Sequence, residues 1–414
     1  MIEIIPHLFR NESSKIISVI SKNFGIEHLE AAEDIVSDTF LLASETWGLK
    51  GLPENPSAWL YRVAINKAKD YCKRNQLFAK KVAAEIKRGA CSSYEVHVDL
   101  TEQAISDSQL QMIFAICHPS IPKESQIGLS LRILGGFGID EIAEAFLTNK
   151  ETIKKRLGRA KAKLKEINLP MTFPTASEVD FRLDTVATTL YLLFNEGYYS
   201  NTKNGELRKD FCVEAMRLTY MLVEYSPTNK PYINALLALM CFQASRFDAR
   251  TSRLGASILY RDQDTNLWNG ELIVQGNFFL NKAAKGNVIT KFHLEAAIAY
   301  WHTSKEDTQE KWESILQLYN QLLKIEYSPA AALNRTYAVY QIDGPIKAIE
   351  QAEKLSLAGN HLYHCLLGEL YTSVDTDKAI HHLQLAINLT ELNSNTLMIE
   401  KKLSELHLKT WVCG

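Results

Sequence analysis

The chain has 414 residues, of which 46% are hydrophobic, and its 46 lysine and arginine residues nearly balance 48 aspartate and glutamate residues. A chain of this length and apolar content can bury a substantial core, which excludes an intrinsically disordered protein. No stretch reaches the roughly 18 uncharged apolar residues of a membrane span, and the first residues lack a signal-peptide pattern. We therefore expect a folded, cytoplasmic protein with no membrane segment.

Helical periodicity dominates the chain. Apolar residues recur at three- and four-residue spacing almost everywhere, and alternating strand-like segments are nearly absent, so the sequence predicts an all-α fold. Glycines and prolines divide this pattern. We predict a small helical domain over residues 1–78, a flexible linker over 79–104, a second small helical domain over 105–168 and a longer, more aromatic helical domain over 175–414.

An acidic helical segment and a basic one follow each other in the first domain. In AEDIVSDTFLLA, which begins at Ala32, Asp34 and Asp38 are four residues apart and therefore share a helix face. In NPSAWLYRVAINKAKDYCKRN, which begins at Asn55, one stripe combines an aromatic ring, an amide and cations, as an unstacked base and its phosphates require. The members of this stripe are Trp59, Arg62, Asn66, Lys69 and Lys73. The alternative for Trp59 is that it anchors the hydrophobic core and does not contact a base.

A second basic segment lies in the second domain. The string GIDEIAEAFLTNKETIKKRLGRAKAKLKE, which begins at Gly138, predicts a short helix, a turn at Leu147 and Thr148, and a second helix capped by Asn149. The exposed face of the second helix is predicted to present Lys154, Lys155, Arg156 and Arg159. In a helix-turn-helix such cations reach guanine edges and phosphates, and Arg156 is the expected base contact. A pair of solvated helix faces is the alternative for both basic segments.

These segments resemble a known family. AEDIVSDTFLLA resembles region 2.2 of sigma-70-family factors, the next helix resembles regions 2.3 and 2.4, and DEIAEAF with TIKKRLGRAKAKL resembles region four. The resemblance implies that the chain is an extracytoplasmic-function sigma factor, whose partners are RNA polymerase core and promoter DNA. The residues implied in core binding are Glu33, Asp34, Asp38, Phe40 and Leu41, with the Trp59–Lys73 stripe on the −10 element and the second basic helix on the −35 element. Most such factors have glycine where this chain has Leu147.

The last domain contains a short internal sequence repeat, which we call the echo. KAIEQAEKLSL at Lys347 returns as KAIHHLQLAINL at Lys378, which favours stacked helical hairpins over a chance likeness of two amphipathic helices. The strings YLLFNEGYYS, DQDTNLWNGELI and SPAAALNRTYAV are similar to those of a long sigma subgroup with a tetratricopeptide-like extension, which implies that this domain modulates sigma activity. Its first helix is predicted to dock on the sigma domains through Tyr191, Phe194, Asn195 and Tyr198.

No cofactor or enzymatic activity is expected. Seven cysteines occur without a CxxC pair, and the adjacent Cys117 and His118 lack two further ligands at useful spacing, so no metal site is predicted. Carboxylates of the extension, such as Glu196 and Asp262, have no accompanying phosphate-binding loop or nucleophile motif. The alternative functions are a helical-repeat scaffold and an autonomous helix-turn-helix regulator. The sequence is also compatible with a protein or small molecule that regulates the extension.

Overall fold

The computed structural model describes residues 4–84, 98–146, 148–167, 171–199, 209–250, 258, 260–304, 306–390 and 393–413. Every regular element in these ranges is helical, which confirms the predicted all-α class. Within the same ranges, no helix combines the length and the apolar character that a bilayer crossing requires. Half of the predicted linker, residues 85–97, and the turn residue Leu147 lie outside the described residues.

The chain divides into two compact units. The first comprises Met1–Glu196 with Glu224–Thr228, and the second comprises Gly197–Val223 with Asn229–Gly414. The helices up to the end of the first unit are α1 (Ile4–Phe24), α2 (Leu29–Lys50), α3 (Pro56–Ala84), α4 (Glu102–Ile116), α5 (Lys123–Leu129), α6 (Ile139–Ala145), α7 (Lys150–Ile167) and α8 (Ala176–Tyr199), whose last turn enters the second unit.

Local sequence signals set the ends of the first three helices. Gly25 ends α1 with a φ of 101°, and Gly51 ends α2 with a φ of 83°, a backbone region that favours glycine. The side-chain oxygen of Asn55 accepts a hydrogen bond from the backbone N–H of Ala58 at 2.9 Å, which caps α3. Helix α1 packs on α2 and α3, and also on α4 from the second predicted domain.

Helices α6 and α7 follow the predicted pattern. The side chain of Asn149 accepts from the backbone N–H of Thr152 at 2.8 Å, so the predicted N-cap is confirmed. The apolar stripe of α7 is buried and packs on α5 and α6. This stripe consists of Ile153, Leu157, Ala160 and Leu164. A five-residue π-helical segment, Ser130–Leu134, continues α5 towards α6.

Helix α8 packs on the helices that precede it. The hydroxyl of Thr189 donates to the side-chain oxygen of Gln126 at 2.8 Å, and Arg182 donates to the backbone carbonyl of Phe114 while its guanidinium carbon lies 5.7 Å from that ring's centroid. Its apolar stripe is buried, and Leu190 has no solvent exposure. A domain start at residue 175 stays a prediction, but most of the helix that follows, up to Glu196, belongs to the first compact unit.

In the second unit, each helix from Gly270–Ala283 onward packs on the next one, and their buried residues form two apolar clusters. The two echo segments begin on α16 (Pro345–Glu353) and α18 (Thr376–Leu389), and their equivalent residues Ala348 and Ala379 are both fully buried. Each of these helices packs on the helix before it in the chain. The helices are α9 (Lys209–Glu224), α10 (Pro231–Ala244), α11 (Phe247–Arg250), α12 (Gly270–Ala283), α13 (Lys291–Trp301), α14 (Gln309–Ile325), α15 (Pro329–Asp343), α16 (Pro345–Glu353), α17 (His361–Tyr371), α18 (Thr376–Leu389) and α19 (Asn393–Cys413).

The packing of α8 predicts that it stabilises the first unit. Leu190→Ala should lower the free energy of unfolding by about 2–5 kcal/mol, because it leaves a cavity at a fully buried position. Phe181, on the same helix, is 74% exposed, so Phe181→Ala should change stability by no more than about 0.5 kcal/mol. Chemical denaturation followed by circular dichroism measures both. Equal losses in the two variants would contradict the packing of α8.

Candidate functional site

The predicted core-binding residues of α2 divide between an exposed face and the interior. Asp34 and Asp38 are exposed, and Leu41 retains 61% of its surface on the same side of the helix. Phe40 is buried, and its ring packs edge-on against Phe9 with the centroids 5.0 Å apart. Glu33 is also buried. The structure therefore brings an acidic pair and an exposed leucine together, whereas Glu33 and Phe40 point inward.

Glu33 is held by two cations from distant parts of the sequence. Its Oε1 accepts from the Nε of Arg132 at 3.0 Å, and its Oε2 accepts from the Nζ of Lys161 on α7. Arg132 also donates to the backbone carbonyl of Phe137 at 3.1 Å. A buried carboxylate needs such pairing, since desolvation without a partner is costly. Glu33 therefore fastens α2 to α7 and to the π-helical segment.

The basic stripe of α3 is largely open to solvent. Arg62, Asn66 and Lys73 are exposed, and Lys69 is half-buried. Trp59, at the start of the stripe, is half-buried, and its ring lies edge-on to Trp47 with the centroids 5.3 Å apart. Among the described residues, none of the three cations of the stripe forms an ion pair with a carboxylate. The stripe therefore offers positive charge that neighbouring side chains do not neutralise.

Helix α7 presents its cations in different settings. Lys155 and Arg159 lie exposed, opposite the buried stripe, and have no ion-pair partner in the described ranges. Lys154 pairs with Glu151 at 3.2 Å. Arg156 is half-buried, and its guanidinium carbon lies 5.6 Å from the ring centroid of Phe146. Lys155 and Arg159 therefore point into solvent, whereas Arg156 packs along the side of the helix.

A glycine interrupts the outward face of α7. Gly158 is exposed, and a Cβ at this position would meet no atom of the described residues within 4 Å. Glycine in a helix interior costs about 1 kcal/mol relative to alanine. Since no neighbouring atom requires the glycine, its effect is to keep the helix surface low between Lys155 and Arg159. Such a surface can approach another backbone closely.

The residues predicted to dock α8 belong to two units. Phe194 is buried, and Tyr191 and Asn195 are half-buried, within the first unit. Tyr198 is buried in the second unit, where it packs on Phe247 and where the guanidinium carbon of Arg250 lies 3.8 Å from its ring centroid. Burial shows that all four are packed residues. Their role in docking stays a prediction.

The Cys117 thiol, which stands beside His118, is fully buried. Burial raises the pKa of this thiol to about 12. Burial, with a smaller contribution from Arg182, lowers the pKa of His118. Among the described residues, no group of three or more histidine, cysteine, aspartate or glutamate side chains could hold a metal ion.

Comparison with known proteins assigns the first three helices. Residues 9–78 match Sigma-70 region 2, and residues 182–284 match a family of unknown function, DUF6596. An uncharacterized protein of Rhizobium meliloti (strain 1021) is 33% identical over 347 residues, which are 83% of this chain and 82% of that protein. No solved structure matches the chain at a significant level.

Helix α2 exposes an acidic face and α3 exposes unpaired cations, and such surfaces can bind a basic protein partner and a nucleic acid. The match over 9–78 identifies a sigma-70 region 2 domain, the kind found in RNA polymerase sigma factors of the sigma-70 family. The chain belongs to one family with the Rhizobium meliloti protein, to which it is related over most of its length. A sigma-70 region 2 domain implies interaction with RNA polymerase core and promoter DNA.

The Glu33 contacts predict a stability effect. Glu33→Gln should lower the free energy of unfolding by about 1–3 kcal/mol, because Arg132 and Lys161 would lose their shared carboxylate. This loss should be smaller than the loss from breaking a fully buried ion pair, since both cations keep some contact with solvent. Glu45→Gln, on the exposed face of α2, is the control and should stay within about 0.5 kcal/mol of wild type. A Glu33→Gln variant as stable as this control, by chemical denaturation, would refute the role of Glu33.

Proposed function

We propose that the chain is an extracytoplasmic-function sigma factor that directs promoter-specific transcription, with α2 on RNA polymerase core, α3 on the −10 element and α7 on the −35 element. The observation that carries the proposal is the position of the region 2 match. It spans α1–α3, where exposed acids on α2 and unpaired cations on α3 lie on adjacent helices.

Helix α2 supplies the polymerase contact in this proposal. Asp34 and Asp38 provide charge for a basic partner surface, and the exposed Leu41 provides apolar area beside them. Charge complementarity selects the partner and speeds association, while the apolar contact adds affinity. Glu33 and Phe40 act indirectly, because their buried side chains hold α2 in place.

Helices α3 and α7 supply the DNA contacts. The stripe from Trp59 to Lys73 combines a ring, an amide and free cations, which suits an unstacked single strand. In α7, Lys155 and Arg159 face outward on either side of Gly158, and a low helix surface with flanking cations suits the major groove. The position of Arg156 beside Phe146 favours a phosphate contact over the base contact that the sequence suggested.

The extension completes the proposal. A tetratricopeptide-like arrangement is supported by the equivalent burial of Ala348 and Ala379 in the two echo helices. We assign this domain a role in modulating sigma activity and assign no catalytic activity to the chain. The proposed site of action is the cytoplasm, where bacterial RNA polymerase works.

Reversing the charge of the α2 face tests the polymerase contact. The double variant Asp34→Lys, Asp38→Lys should weaken binding to purified core polymerase, because like charges would meet across the interface. Its fold should persist, since both side chains are exposed. The matched control, Glu310→Lys with Glu313→Lys on the exposed face of α14, makes the same charge change elsewhere. Equal affinities of the two double variants, measured by titration with labelled core, would exclude α2 as the contact.

Single substitutions on α7 test the −35 contact. Arg159→Ala should reduce discrimination at one base pair by about 1–3 kcal/mol, because a base-reading side chain is lost. Arg156→Ala should weaken binding to all promoter sequences alike, as the loss of a phosphate contact does. It should also lower by about one the slope of log affinity against log salt concentration. Binding to wild-type and single-base-substituted promoters at several salt concentrations separates the two effects. Wild-type behaviour of both variants would exclude α7 as the reading helix.

A further inference from the structure

The extension contains a cleft that the sigma-factor function does not use. It lies between α14, α15 and α16 and has a volume of about 400 Å³, which falls in the range of small-molecule sites. We call it the Arg335 cleft. Leu323, Tyr327, Arg335, Gln351, Lys354 and Leu355 are among its lining residues. Arg335 belongs to the string SPAAALNRTYAV and lines the wall of the cleft.

Arg335 is held in a fixed orientation inside this cleft. Its Nε donates to the side-chain oxygen of Asn320 on α14 at 2.6 Å, and one terminal nitrogen donates to the side-chain oxygen of Gln351 on α16 at 2.5 Å. Both partners are neutral amides, so they orient the guanidinium without neutralising it. An arginine has five N–H groups, and three of them remain for another acceptor. The two amides therefore hold the guanidinium in an orientation from which it can donate hydrogen bonds to an oxyanion.

The charge of the cleft is not balanced by its walls. Arg335 and Lys354 are both cationic, and the described residues that line the cleft include no carboxylate. Among the described residues, neither cation forms an ion pair. The other walls are apolar or aromatic, with Leu323 and Leu355 half-buried and the Tyr327 ring 62% exposed. The cleft therefore combines two positive charges with an apolar surface.

We propose that the Arg335 cleft binds a phosphorylated small molecule, with its phosphate on Arg335 and Lys354 and its organic part against Leu323, Tyr327 and Leu355. A phosphomonoester carries a charge of about −1.5 to −2 at neutral pH, which matches two cations better than a carboxylate does. Its three oxygens accept from the free guanidinium N–H groups and from the Lys354 ammonium. This site does not rest on the promoter-binding role of the first unit.

Titration of the full-length chain with phenyl phosphate tests the proposal. Isothermal titration calorimetry should show saturable binding at one site, and phenol, which lacks the phosphate, should not bind. Benzoate, which keeps the ring but carries a single charge, should bind at least about tenfold more weakly. Absence of saturable binding by phenyl phosphate would overturn the proposal. So would equal affinities for phenyl phosphate and benzoate, because the second cation would then contribute nothing.

Variants localise the binding. Arg335→Gln and Lys354→Gln should each weaken phenyl phosphate binding by at least about tenfold. Lys324→Gln is the matched control, because Lys324 is exposed on α14 next to the cleft but does not line it. It should leave the affinity unchanged within about twofold. If Arg335→Gln unfolds the repeats, since Arg335 joins three helices, the exposed Lys354 still decides the question. Equal weakening by Lys354→Gln and Lys324→Gln would show general electrostatics instead of a site.

Discussion

The burial of α1 is the constraint on which the first unit depends. Over residues 13–21 this helix exposes almost no side chain, and four of its buried residues are the serines Ser13, Ser14, Ser18 and Ser21. Small side chains let neighbouring helices approach closely, and the Ser18 hydroxyl donates to the Ser14 carbonyl at 2.8 Å. Helices α2, α3 and α4 all pack on α1, so the sigma-70 region 2 helices and α4 share one core.

This shared core decides which groups face solvent. The packing that buries Glu33 against Arg132 and Lys161 leaves Asp34 and Asp38 exposed one helical turn apart. In the same way, the apolar stripe of α7 points inward, and Lys155 and Arg159 are the residues left outside. The proposed polymerase and DNA contacts therefore follow from the way the helices pack, because each buried face fixes the face opposite to it.

Sequence periodicity predicted where the helices form better than it predicted which residues of other helices they contact. The cap at Asn149, the buried stripe of α7 and the burial of Ala348 with Ala379 follow from local pattern, because spacing along a helix determines which residues share a face. The pairing of Glu33 with Arg132 and Lys161 joins residues about a hundred positions apart, and local pattern contains no information on it. In the same way, the contacts of α8 with Gln126 and Phe114 join distant residues, and local pattern placed this helix at the start of a separate domain although most of it belongs to the first compact unit. Arg156 shares its helix with exposed cations, yet only the structure shows the Phe146 ring beside it.

Run-off transcription tests the central claim most directly. Purified core RNA polymerase is supplied with the full-length chain and with promoter DNA from upstream of the chain's own operon, and core alone serves as the reference. If the chain is a sigma factor, a discrete transcript should form only when the chain is present, because α3 and α7 must engage the promoter while α2 binds core. The same products with and without the folded chain would contradict the account.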